Sequence, residues 1–286
     1  MEEPTSLAET TAQPAASDVG TPTVGAACKH DPNFHLMAPS CKCQRLLWPR
    51  RIHAAVGLLF TGFLMAHLAI CATGGNPALY QQTVNRVEAT LAHMPGLVLV
   101  AVFLPFVVQA ALGLFLLQRE GMKYDVKKCN RGGKLRFFTQ RVTALVILGF
   151  FVIHVGTLHK WGLHLAYRLT HLGLLSGYAG GGLFQPEAAF NSTVMGLNHA
   201  TGFGPLNLLW SLVTVVALWA TAFHAANGAW TGGMVWKIVG TKTTGKLRKM
   251  SWAALCWLIG ISLAVDGTGA LCTFAFSSAA RLVLQR

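Results

Sequence analysis

Apolar residues in this chain run in long, nearly unbroken stretches instead of alternating with polar ones at a strand or surface-helix period. Five such stretches, at about 52–72, 95–118, 142–162, 206–236 and 251–275, each reach the ~20 residues that cross a bilayer as a helix. Lipid offers the backbone no hydrogen-bond partner, so segments of this kind are expected to be helical throughout. Residues 1–27 break the pattern: Thr, Ala, Ser, Pro and Glu recur there without a period, and no basic run precedes an apolar one as a signal peptide requires. The expected organisation is a disordered tail (1–27), a cytoplasmic Cys/His-containing segment (28–50) and a transmembrane domain (51–280). The fold class that follows is an all-α membrane protein, a bundle of five transmembrane helices.

Composition agrees with this and narrows it. With 53% of 286 residues hydrophobic and 12% charged, the chain is neither a disordered polymer nor long enough to carry a large soluble domain beside five spans. A net charge of +13 would suit nucleic acid, but the charges are distributed by compartment. Eighteen Lys and Arg lie before span one, between spans two and three, and between spans four and five, against five in the alternate compartments. The positive-inside rule then orients the amino terminus to the cytoplasm and leaves no need for a nucleic-acid partner. Seven scattered cysteines, an odd number, do not form a secreted disulfide framework. The outer segment from about 163 to 205, with its run Gly180-Gly181-Gly182, reads either as a short surface helix or as a lid.

Three histidines, His67, His154 and His224, fall well inside the apolar stretches, where ionisable side chains usually face the bundle interior and carry function. His67 lies 16 residues after Arg51 and His154 lies 13 after Arg141. On two spans running in the same direction, that puts their depths within about 4–5 Å of each other at ~1.5 Å per residue. Two imidazoles at one depth can bind one iron from opposite sides of a macrocycle, as in a bis-histidine haem b, or each can hydrogen-bond a neighbouring helix. Ala54, Ala55, Gly57, Gly62 and Ala66 on span one leave room for a porphyrin and equally permit close helix packing.

At these residues the sequence resembles the five-helix, dihaem type of cytochrome b subunit that anchors succinate dehydrogenases and fumarate reductases. The likeness lies in the order and spacing of Arg50-Arg51-Ile52-His53, Gly57 through Gly62 to His67, Phe103-Leu104-Pro105, Gln140-Arg141-Val142-Thr143 followed by His154, and Phe223-His224-Ala225-Ala226-Asn227-Gly228-Ala229-Trp230, over roughly residues 48–250. The resemblance implies that His67 and His154 hold a distal haem b near the outer face and that His224 is the fourth-helix ligand of a proximal redox centre. The second-helix ligand is expected four residues after Pro105, where this chain has Gln109, a poor ligand for haem iron. Three outcomes stay open: a proximal haem held by His224 alone or with a substitute such as His53, no proximal centre, or a different redox centre in its place.

One candidate replacement precedes span one. Cys28, His30, His35, Cys41 and Cys43 fall within 16 residues, and thiolate with imidazole suits zinc or a Rieske-like [2Fe–2S] cluster, although ordinary cytoplasmic thiols fit as well. Glu88, the only carboxylate of the first outer loop, is a candidate for quinone proton transfer by the same resemblance, or else an exposed acid paired with Arg86. Asp266 reads as a helix-end carboxylate beside Gly267, and Trp48, Trp161, Trp210, Trp236 and Trp252 as interfacial anchors.

The function implied is that of a membrane-anchor subunit in the inner membrane of a prokaryote. It passes electrons from an iron–sulfur subunit to membrane quinone, menaquinone above all, in complex with that subunit and a flavoprotein, with no dicarboxylate chemistry of its own. Arg50, Arg51 and the basic segment from Lys123 to Arg141 would form part of the docking face. The alternatives are the cytochrome b subunit of a hydrogenase or formate dehydrogenase, and a haem-free structural anchor.

Overall fold

A computed structural model describes residues 46–94, 96–121, 131–159, 162–178, 182–199, 204–240 and 245–276. The tail 1–27 and the Cys28–Cys43 cluster lie outside the described residues. All regular structure among the described residues is helical: α1 (Leu47–Ala72), α2 (Pro77–Ala92), α3 (Leu104–Glu120), α4 (Arg131–Leu158), α5 (Leu163–Thr170), α6 (Ala189–His199), α7 (Gly204–Val235) and α8 (Lys246–Phe276). Five helices are long and apolar enough to cross a membrane, over Leu47–Gly75, Leu99–Glu120, Leu135–Leu158, Leu209–Val235 and Lys246–Phe276. The protein is a multi-pass, all-α membrane protein.

Local chemistry sets the boundaries. Asn76 caps α2, its Oδ1 accepting from the amides of Ala78 at 3.1 Å and Leu79 at 3.2 Å with Pro77 in the first turn. A π-helical turn over Leu99–Phe103 leads into α3, and Pro105 occupies the first turn of that helix. Gly121 ends α3 with φ +70 and its amide on the Leu117 carbonyl at 2.7 Å. The third membrane helix begins well before the expected 142, because Arg136 and Arg141 are satisfied by other helices and the helix runs on through them.

α1 is central, packing against α3, α7 and α8, while α4 packs chiefly against α7. Small residues bring α7 and α8 together: Ala222, Ala225 and Ala229 meet Cys256, Ile259 and Leu263. Trp252 belongs to this seam. Its Nε1 donates to the Ala229 carbonyl at 3.2 Å and its indole covers Gly233, so it packs between helices near the start of the fifth span. Asp266 departs from expectation. α8 continues ten residues past it, and Ser262 Oγ donates to its Oδ2 at 2.9 Å one turn earlier, which satisfies the carboxylate within the helix.

The segments at the His67 end of the spans form a structured cap. Tyr80 and Val84 of α2 pack with Phe190 and Val194 of α6 against Phe274 of α8. Gln81 clamps this contact, donating to the Pro186 carbonyl at 2.7 Å and accepting from the Ala189 amide at 2.7 Å. The amides of Leu183 and Phe184 reach the last carbonyls of α4, Thr157 and Leu158, at 3.1 Å each. Where the sequence left a surface helix or a lid open, this stretch is short helices docked on the span ends.

Candidate functional site

α1 and α4 do not pack closely against each other, and His67 and His154 meet across the gap between them with ring centroids 6.4 Å apart and planes at 78°. Two imidazoles bonded at about 2 Å to opposite sides of one metal would place their centroids about 6.3 Å apart. Each ring is fixed by an aromatic one turn back on its own helix, His67 by Phe63 at 5.7 Å and His154 by Phe150 at 5.3 Å. Phe150 in turn stacks on Trp210 of α7 at 6.0 Å. The depth match inferred from residue counts is therefore met.

His67 has one further neighbour, Cys71 Sγ at 3.9 Å from its Nε2, one turn along α1. Toward the basic ends of the spans, Phe60, Phe106 and Phe151 close the gap, with Phe106 and Phe151 stacked at 3.6 Å.

His224 belongs to a second, separate cluster beyond that aromatic floor. Its Nδ1 lies 3.1 Å from the Gln140 carbonyl and 3.3 Å from Thr143 Oγ1. Thr143 spends its hydroxyl proton on the Thr139 carbonyl at 2.8 Å, so Nδ1–H donates to Gln140 and Nε2 is left as the free nitrogen. Gln140 Nε2 donates back to the His224 carbonyl at 3.1 Å and its Oε1 accepts from Asn227 Nδ2 at 2.6 Å. Asn227, only 6% exposed, also accepts from Arg136 Nε, whose guanidinium lies over Trp230 at 5.5 Å. Sequence reasoning missed this network, although Gln140, Thr143 and Asn227 all stand in the motifs that carried the resemblance.

His53 lies close enough to His224 to interact electrostatically. Side chains pack closely beside them. Gln109 packs directly on Gly57, where a Cβ would come within 2.8 Å of its Nε2, and His53 packs on Gly113, where the same test gives 3.3 Å. Gln109 Oε1 is buried without a hydrogen-bond partner. The position expected for a second-helix ligand is thus held by a packed glutamine amide, and His53 and His224 are the imidazoles of this half.

At the basic end Glu120, which sequence reasoning did not single out, accepts from Arg50 Nε at 3.0 Å and Nη2 at 2.7 Å on one oxygen and from Arg141 Nη2 at 2.7 Å on the other. Arg141 lies flat on Phe137, 3.3 Å from the ring centre. This triad ties α1, α3 and α4 together. Arg50 is thus committed within the fold and not free for docking.

At the outer end, Glu88 stands exposed on α2, two residues from Arg86 and so on a different side of the helix. The open groove of about 240 Å³ on this helix is lined by Thr83, Arg86, Val87, Thr90 and Leu91 and does not include Glu88. Glu88 does act on His159, just past the end of span three. Desolvation and the charge of His67 push that imidazole below its ordinary range while Glu88 opposes them. Among the described residues no group of three or more His, Cys, Asp or Glu is arranged to hold a metal ion by itself. Neither protein-family models, curated proteins nor solved structures gave a match to this chain.

Proposed function

We propose that the chain is the membrane-anchor cytochrome b subunit of a succinate:quinone oxidoreductase, seated in the inner membrane of a prokaryote with its amino terminus and basic span ends in the cytoplasm. The observation that carries the reading is the pairing of His67 with His154 between the first and third spans, ring centroids 6.4 Å apart. Haem b bound there supplies reversible one-electron chemistry. His67 and His154 are its ligands, and Phe63 and Phe150 hold the two rings in place.

Glu88 and His159, at the outer end of the same span, take up and release protons as quinone, menaquinone in particular, is reduced or oxidised. At the other end the exposed side chains of Lys246, Arg248 and Lys249, with the basic segment between spans two and three, receive the iron–sulfur subunit and, through it, the flavoprotein. His224, with Nε2 free, and the Cys28, His30, His35, Cys41 and Cys43 segment are the candidates for carrying electrons into the bundle, as a [2Fe–2S] or other metal centre in place of a second haem.

Affinity isolation of the tagged chain from its native membranes tests the assignment. The expected result is co-isolation of a covalently or tightly flavinylated subunit and an iron–sulfur subunit that together reduce a menaquinone analogue with succinate. Co-isolation of a nickel or molybdenum enzyme would assign the chain to a hydrogenase or formate dehydrogenase instead. An active complex without b-type absorbance would make it a haem-free anchor.

A further inference from the structure

The ion pairs at the basic end do not include Arg51. The described residues include four acids, Glu88, Glu120, Glu187 and Asp266. Glu88 and Glu187 belong to the outer cap, Asp266 lies twenty residues into α8, and Glu120 is shared by Arg50 and Arg141. Among the described residues Arg51 is paired with no carboxylate and sits in different surroundings. Its guanidinium carbon is 5.3 Å from the ring centroids of both Trp48 and Trp236, and its Nε is buried with no hydrogen-bond partner.

Trp48 stands at the start of span one and Trp236 immediately after span four, and their exposures of 64% and 43% leave the sandwich open to its surroundings. Ile52, Leu59 and Ile238 continue it as exposed apolar surface of the kind that faces lipid. Lys237, exposed and in a left-handed conformation with φ 58, adds a second cation beside Trp236.

We infer that Arg51, Trp48, Trp236 and Lys237 form a binding site for the phosphodiester headgroup of an anionic phospholipid. A guanidinium held between two indoles is a preorganised fork for phosphate oxygens. The end of an apolar span is the depth at which headgroups lie, and tryptophan favours that depth. The acyl chains would cover Ile52 and Leu59, which an acidic soluble protein would leave bare. The site is separate from both histidine clusters and stands whether or not the chain binds haem.

The test is native mass spectrometry of the full chain in detergent, titrated with phosphatidylglycerol and phosphatidylcholine of the same acyl composition. The wild-type protein retains phosphatidylglycerol preferentially. Arg51→Gln loses about fivefold of that preference, the factor one basic side chain contributes near an anionic membrane surface. Lys249→Gln, which removes the same charge from the same end, loses less than twofold. Arg51→Lys keeps the charge without the fork and falls between them, which separates loss of the site from loss of the fold. Inorganic phosphate in the millimolar range leaves the lipid in place. Equal losses in Arg51→Gln and Lys249→Gln, the absence of any phosphatidylglycerol preference, or displacement by inorganic phosphate would each overturn the inference, the first by showing a diffuse field and the last a free-anion site. So would an Arg51→Gln chain that keeps its lipid and instead fails to bind an acidic soluble partner.

Discussion

Glu120→Gln removes one negative charge from between two positive ones, and the geometry fixes the size of the effect. The side chains of Arg50 and Glu120 are 22% and 19% exposed and that of Arg141 is 12% exposed in its pair, so solvent screens them only in part. The two guanidiniums share one carboxylate and can stand no more than about 7 Å apart. At an effective dielectric constant of 20, two unit charges at that separation repel by about 2 kcal/mol. The amide still accepts one hydrogen bond, but its NH₂ faces the other guanidinium. The loss is then about 2–3 kcal/mol, below the 3–5 typical when a fully buried pair is broken. At about 2–4 °C per kcal/mol, thermal unfolding of the detergent-solubilised chain should move down by about 5–10 °C, and the gap should narrow in high salt, which screens the residual repulsion. Haem content should not change, because the triad lies some 24 Å in depth from His67 at ~1.5 Å per residue. A melting temperature within 1 °C of wild type would refute the view that this triad clamps three spans.

Three further outcomes follow from the structure. Asn227→Leu removes the partner of Gln140 Oε1 at a buried position, while the exposed Arg136 turns to solvent, and should cost about 1–3 kcal/mol, read as a lower melting temperature with the His67–His154 site unaffected. His159 is held below its ordinary range, so the unfolded chain takes up a proton near pH 6.5 that the folded cap refuses until lower pH. Stability should therefore fall as pH drops below about 6.5, and His159→Gln should flatten that part of the curve of melting temperature against pH; a parallel curve would show that His159 does not titrate this way. Burial pushes the Tyr80 phenol up to about 12, so the ultraviolet difference between wild type and Tyr80→Phe should develop only near pH 12. Stability should decline between pH 10 and 12 as the unfolded phenol ionises first.

The five spans were legible because a bilayer permits so few backbone solutions that hydropathy alone nearly dictates them. The juxtaposition of His67 and His154 was legible for the same reason, since helical rise converts residue counts directly into depth. What failed to show was whatever depends on a partner from another helix. Arg136 and Arg141 looked like the end of a span because their charges count against burial, and only Asn227 and Glu120 reveal that both are satisfied. Glu120 itself falls just past an apolar run and carries no local sign of two arginines 21 and 70 residues away. Asp266 was misplaced because a helix that runs on to Phe276 and a one-turn bond to Ser262 are packing facts, not patterns. Gln109 at the expected ligand position was visible at once, whereas its direct packing on Gly57, which fills the space beside it, was not.

The most direct test of the account is haem stoichiometry together with the low-temperature electron paramagnetic resonance spectrum of the purified chain and its histidine variants. The account predicts one haem b per chain, low-spin with two axial imidazoles, lost in His67→Ala and in His154→Ala and retained in His224→Ala. Absence of haem, two haems per chain, or a low-spin signal that survives loss of both His67 and His154 would contradict it.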